Sequence, residues 1–443
     1  METQRNGGAG SRCRPWPALG LAVCVGLLAG SGTSQAQAPA GTSAAPELTL
    51  NAVVEIAVRE NPDLKSLRAK WEAMQERPAQ AGTLANPMLT YSGMDATGGG
   101  SWPDTNEKRV MVQQEFPWFG KRALREGVAA KDAEAMKLEL DAMTRDVVMR
   151  VKERYYELHA VQQVIAITGE EEEVVRRVER TAESMYAVGA REQVDVLKAQ
   201  AEITLLKQKL VDLQAQEATL HARLNTLMNR GAALPLGAAV TPPEPAVGGS
   251  AEARLALAAA GRPEVLAAQA QVERYELERK LMAKESVPDY KLGLEYRDVG
   301  DSDDMVMFTV SVDLPLWRSK YRSGVREAEK MRDSSEAARE VAERQSDLDV
   351  QVAALNLQAA RRTLTLYRSE LIPQAEARFS ASEAGYRTGK VDFMDLLESE
   401  RFLLGAKTMA AMAEGMVGMQ AARLEWASGV DAAGETAGVT GRK

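Results

Sequence analysis

Two carboxylates three residues apart are the feature of this 443-residue sequence best suited to chemistry. Asp395 and Glu398 would share one face of a helix, and Tyr386 lies shortly before them. Acids gathered at a narrow opening raise one another's pKa values and favour cations. The competing reading makes Asp395 a helix cap and Glu398 a solvated side chain. Met409, Met412, Met416 and Met419 form a stripe at helical spacing. A thioether path for soft metals fits that stripe, but a helix seam filled with methionine is the commoner cause. His159 and His221 are the only histidines and stand alone, which leaves no familiar metal-ligand spacing. Glu170 to Glu173, with Arg176 and Arg177 at i+4, reads as a solvated, salt-bridged helix face. No Gly-rich phosphate loop, catalytic triad or catalytic paired-acid constellation occurs. The residues therefore predict no enzyme, no cofactor and no resident metal.

The helix that carries the two acids follows a phrase that occurs twice. Tyr186, Gly189, Asp195 and Leu197 recur 200 residues on as Tyr386, Gly389, Asp395 and Leu397. In each copy the glycine ends one helix and the aspartate begins the next, so 185–192 and 385–392 are bends of helical hairpins. Other echoes keep nearly the same offset: Asn61-Pro62 and Arg262-Pro263, Asn86-Pro87 and Val287-Pro288, Phe116-Pro-Trp-Phe119 and Leu314-Pro-Leu-Trp317. The chain reads as a tandem duplication, with repeats at 39–235 and 252–430, a Pro-rich linker at 236–251 and a flexible tail at 431–443. The second bend has two acids, whereas the first has Asp195 followed by Lys198. The two bends are therefore unequal.

Long helices must position the bends. No proline interrupts the stretch from Trp118 to Leu234, and apolar seams run through it. Met136, Leu140, Met143, Val147, Val151, Tyr155 and Leu158 form one seam. Leu206, Leu210, Leu213, Glu217, Leu220, Leu224 and Leu227 form a heptad series, which predicts an antiparallel coiled-coil pair. At about 1.5 Å per residue, 119–185 and 318–385 would each span about 100 Å. The returning stretches 192–230 and 252–285 are about half as long, which predicts half-length helices stacked end to end and a linker at mid-height. Pro373 should kink the second long helix.

Between the helices lie alternating runs at about 88–96, 109–116, 289–297 and 305–314, two β-hairpins in all. Their apolar-out, polar-in alternation suits a transmembrane barrel, with Phe116, Trp118, Phe119 and Trp317 as an interfacial aromatic belt. The alternative is a small soluble sheet with one buried face. Four strands cannot close a barrel, and lipid does not tolerate an open edge, so the barrel reading requires several chains; three would supply twelve strands.

Composition agrees. A net charge of -8 gives no reason to expect nucleic acid binding. Aromatics make up only 5%, as in long helices with narrow seams. Residues 1–38 read as a secretory signal peptide, with Arg5, Arg12 and Arg14 before an apolar run and cleavage near Ala36–Ala38, after Ala36 in preference to Ala38 because Pro39 would follow the latter cut. Both cysteines, Cys13 and Cys24, fall inside it. Val23 before Cys24 argues against lipidation. No later apolar run approaches the roughly 18 residues of a membrane helix.

From Leu48 to Gly429 the chain resembles the TolC family of outer-membrane efflux proteins. The resemblance rests on the duplicated plan, on Tyr-x-x-Gly-x5-Asp at both bends and on Glu115-Phe-Pro-Trp-Phe-Gly-Lys-Arg122. That last phrase is similar to the heavy-metal efflux branch. The resemblance implies a homotrimer in the outer membrane, with a 12-stranded β-barrel on a 12-helix periplasmic barrel. It implies a passive exit duct docked to a periplasmic adaptor and an inner-membrane pump of the RND or a related type. Adaptor contacts would fall on Val188, Gly189, Asp195, Thr388, Gly389 and Asp395, and the periplasmic gate on Tyr386, Asp395 and Glu398. Drugs or secreted proteins are alternative cargoes. The alternative from another class is a periplasmic coiled-coil adaptor or structural protein, although two hairpins 200 residues apart are unusual for an adaptor.

Overall fold

The computed structural model describes residues 48–94, 107–242, 251–300 and 303–429. The predicted signal peptide, the tips of both β-hairpins, part of the linker and the tail beyond 429 lie outside the described residues.

Helices dominate. The first segment comprises α1 (Leu50–Glu60), α2 (Pro62–Gln75) and α3 (Arg77–Ala81). Asn61 joins α1 to α2. Its side chain accepts from the N–H groups of Asp63 and Leu64, which otherwise lack partners at a helix start. Strands β1 (Met88–Met94) and β2 (Glu107–Phe116) follow, then the 67-residue α4 (Lys121–Ala187), which spans about 100 Å. The first hairpin returns through α5 (Gln193–Leu227). The second repeat runs through α6 (Ala251–Gly261), α7 (Pro263–Lys284), β3 (Tyr290–Asp298), β4 (Met305–Val312), α8 (Arg318–Leu366), α9 (Ile372–Arg387) and α10 (Phe393–Ser428). A π-helical turn, Tyr367–Leu371, joins α8 to α9. It lies immediately before Pro373, where the sequence predicts a kink, and its wider turn absorbs the backbone acceptor that proline cannot serve.

The half-length helices meet end to end at the two proline joints. Asn61 Nδ2 donates to the carbonyl of Leu227 at 3.0 Å, so the start of α2 sits on the end of α5. In the second repeat the Arg262 guanidinium lies 4.5 Å above the Trp426 ring and pairs with Asp349 at 2.7 Å, so the start of α7 sits on the end of α10. Both prolines occupy the first turn of the new helix, where a missing N–H does no harm. The linker passes this level too. Leu48 and Ala239 form a parallel bridge, and the Tyr155 hydroxyl lies 2.7 Å from the Leu48 carbonyl and 2.6 Å from that of Val240.

The apolar seams form the core. Val53, Ala57 and Leu64 pack with Leu140, Val147, Val151, Tyr155, Leu158, Leu220 and Leu224. In the lower half, α10 approaches α4 closely because it offers no side chain at Gly418. A Cβ there would overlap the Tyr156 ring.

The four strands form one antiparallel sheet in the order β1-β2-β3-β4. Its register places Leu89, Tyr91, Val110, Val112, Leu294, Tyr296, Val306, Phe308, Val310 and Val312 on one face, and all of them are exposed. A soluble sheet would bury this face, but here it stands open. The opposite face carries Arg109, Gln113, Glu115, Lys291, Glu295 and Arg297. Among the described residues, β1 pairs only with β2 and β4 only with β3, which leaves an unpaired edge on each side. Among the described residues no helix is long and apolar enough to cross a membrane.

Candidate functional site

Both repeated phrases fold as the predicted bends, and for the same reason. Gly189 and Gly389 adopt φ values of 73° and 75°, a left-handed conformation that favours glycine. The Gly189 N–H donates to the Tyr186 carbonyl and that of Ala190 to Met185, each at 2.9 Å. The Gly389 N–H donates to the Tyr386 carbonyl at 3.1 Å and that of Lys390 to Gly385 at 2.8 Å. These paired bonds satisfy the last carbonyls of α4 and α9. The returning helices start one turn earlier than the aspartates suggest. Glu192 and Asp392 are the extended residues before α5 and α10, while Asp195 and Asp395 lie in the first turn. Neither aspartate is the helix cap. Both sit where the helix dipole favours negative charge.

The side chains break the symmetry. Tyr186 is 47% exposed and Tyr386 only 1%. The Tyr386 ring is enclosed by Val178, Ala182, Val196, Ala199, Leu396 and Leu397, and meets Phe393 edge-on at 5.4 Å. Its hydroxyl donates to Asp195 Oδ2 at 3.4 Å. Arg191 covers the ring from 4.8 Å and donates from Nη2 to the Val391 carbonyl at 3.0 Å, which ties the first bend to the second. Burial pushes the Tyr386 phenol up to about 12. Burial likewise raises the Asp195 carboxyl, with Lys198 acting in the opposite direction from 3.9 Å.

Asp395 and Glu398 lie on the exposed face of α10. Arg378 of α9 reaches Glu398 at 3.1 Å and lies 5.3 Å from the Phe402 ring. Tyr386 therefore joins Asp195 inside the tip, away from the acids with which the sequence grouped it. Of the expected adaptor contacts, Val188, Gly189, Thr388, Gly389 and Asp395 are exposed, and Asp195 is not. Apolar packing around Tyr386 draws that aspartate inward.

Glu171 also departs from expectation. The acidic run 170–173 is not solvated throughout: Glu172 pairs with Arg176, but Glu171 is buried at a heptad-related position between Thr168 and Val175. Glu202 and Glu400 are buried as well. The register of these apolar seams was the available signal for all three. Met409, Met412 and Met416 are exposed, so the methionine stripe is not a seam within the chain. His159 is buried without a partner for Nε2 among the described residues, and burial lowers its pKa. Among the described residues, no group of three or more His, Cys, Asp or Glu side chains is arranged to hold a metal ion.

At the strand end, Phe116 stacks on Tyr290 at 5.4 Å, while Trp118, Phe119 and Trp317 are exposed. Below them Lys121 is buried. Its Nζ reaches Asp289 at 2.9 Å, Glu285 at 3.5 Å and the Val287 carbonyl at 2.8 Å, fastening the start of α4 to the α7–β3 connection.

Tandem hairpins of long helices, carrying a sheet whose open face is apolar, fit the class of outer-membrane efflux proteins. A family model described as "Outer membrane efflux protein" matches residues 53–230 and 255–430, and the chain belongs to that family, the TolC family. It is 24% identical over 409 residues to the cobalt-zinc-cadmium resistance protein CzcC of Cupriavidus metallidurans, covering 88% of this chain and 93% of that protein. Its fold is similar to that of CusC, with a TM-score of 0.76 at 15% identity, covering 89% of this chain and 96% of the other. It is also similar to VceC of Vibrio cholerae, with a TM-score of 0.72 at 18% identity, covering 86% and 96%.

Proposed function

We propose that the protein is the outer-membrane exit duct of a tripartite efflux system. Three copies would join their sheets into a 12-stranded barrel and their helices into a 12-helix periplasmic tunnel. The observation that carries this reading is the exposed apolar face of a four-stranded sheet with two unpaired edges. Lipid would cover the face, and neighbouring copies would pair the edges. Phe116, Trp118, Phe119 and Trp317 would lie at the interface, which suits amphipathic rings. A signal peptide at 1–38, without lipidation at Cys24, would send the chain to the periplasm.

At the other end, the exposed residues Val188, Gly189, Thr388, Gly389 and Asp395 would meet a periplasmic adaptor, and through it an inner-membrane pump of the RND or a related type. Asp395 and Glu398 would form an acidic ring at the periplasmic opening, and Tyr386 would brace the tip from within. Similarity to CzcC favours heavy-metal cations as cargo. The duct is passive, and selection would rest with the pump.

Deleting the gene in its native cell should sensitise that cell to divalent heavy metals, and restoring the full chain should reverse this. Sensitivity to drugs with unchanged metal tolerance would overturn the metal assignment. A soluble periplasmic monomer would overturn the channel.

A further inference from the structure

Three acids are buried together above the bends. Glu400 of α10 and Glu171 of α4 are 1% and 2% exposed, and Glu202 of α5 is 5% exposed. Glu400 lies seven positions after the start of α10, so roughly 10 Å from the bend. An apolar layer of Val178, Ala199, Leu396 and Leu397 lies on the bend side. Val175, Ile203, Leu206 and Leu404 pack together as the adjoining layer. The acids connect different hairpins, since α4 and α5 form one and α9 and α10 the other.

The charges around Glu400 do not cancel. Glu171 of α4 and Glu202 of α5 act on it as like charges, and Arg401 of its own helix as the opposing one. That guanidinium pairs with Glu202. Among the described residues, neither oxygen of Glu400 has a hydrogen-bond partner, and Oε1 of Glu171 has none. Two ionised carboxylates side by side between apolar layers repel strongly and are poorly solvated. One proton removes both problems, because a protonated carboxyl donates to the other.

We infer that Glu400 keeps its carboxyl protonated against Glu171 in the packed tip, and that this proton is a latch between the two hairpins. When it leaves to solvent, two facing carboxylates remain, and α9–α10 separates from α4–α5. This rests on the reading of the bends as the moving end of a duct.

The direction with pH follows from the site. Burial first, then the neighbouring carboxyl of Glu171, push Glu400 up to about 9, against the opposing charge of Arg401. A carboxyl raised in the packed state stabilises it fully below the ordinary value of 4.5 and loses that effect as pH rises toward about 9. Acid closes the latch and alkali opens it.

The test compares full-length protein with Glu400→Gln and Glu171→Gln, each of which keeps the shape and removes one carboxyl. Amide exchange across 393–404, corrected for the intrinsic chemical rate, is measured at pH 6 and pH 9. The wild type is expected to exchange about tenfold faster or more at pH 9, and each variant to change by less than about twofold. Asp195→Asn, at another buried acid of the tip, is expected to keep the wild-type response. A flat wild-type response would overturn the latch, as would a pH response retained in both glutamine variants. Two variants guard against one failing to fold. Open probability in planar bilayers is recorded in parallel. If exchange responds as expected but no pore ever conducts, the latch stands and the duct reading falls.

Discussion

The Tyr386 hydroxyl donates to Asp195 Oδ2 at 3.4 Å, so the tyrosine of the second phrase contacts the aspartate of the first. The duplicated residues therefore do not form two equal sites. One tyrosine and one aspartate turn inward and brace the hairpins against each other. Their counterparts, Tyr186 and Asp395, remain on the surface.

This brace separates packing from hydrogen bonding. Tyr386→Phe keeps the ring against Phe393 and Arg191 and loses one bond, which should cost about 1 kcal/mol. Tyr386→Ala empties a buried site and should cost about 3–5 kcal/mol. Denaturant unfolding of the detergent-solubilised protein measures both. Equal costs would show that the ring packing contributes little.

Lys121 should govern the junction between strands and helices. Burial opposes the charge of Asp289, but the Lys121 ammonium, the Trp118 N–H at 2.7 Å and the charge of Arg125 together hold the carboxyl below its ordinary 3.8. A depressed carboxyl stabilises the fold above its ordinary value and loses that effect as pH falls through the lower one. The wild-type junction should therefore weaken only under strong acid. Lys121→Met leaves Asp289 without its ammonium and should cost about 3 kcal/mol near neutral pH. Thermal unfolding between pH 3 and pH 7 should show the variant's deficit shrinking as Asp289 becomes protonated.

Close approach of α10 to α4 depends on Gly418. Gly418→Ala places a methyl group against the Tyr156 ring and should destabilise the lower bundle by about 1–3 kcal/mol. Tyr156→Leu should recover part of that loss in the double variant. Additive costs in a double-mutant cycle would contradict the contact.

The exposed acids of α10 should control cation passage. Asp395→Asn combined with Glu398→Gln should raise conductance and weaken block by divalent cations in planar bilayers. Unchanged block would remove these two residues from the opening.

Much of this organisation is local in the sequence and therefore legible there. Glycine at 189 and 389, proline at 62 and 263, and strict alternation in the strands each report a backbone requirement of their own neighbourhood. Tyr386 and Asp195 carry no such signal, because their contact joins residues 191 apart and depends on which hairpin packs over which. Glu171 shows the same limit. Its neighbours Glu170 and Glu173 face solvent, and only helical phase places it inside.

Reconstitution into planar bilayers tests the channel most directly. The purified full-length protein should migrate as a heat-sensitive trimer in detergent and produce discrete, cation-selective conductance steps. A monomer that stays soluble without detergent and produces no steps would contradict the account.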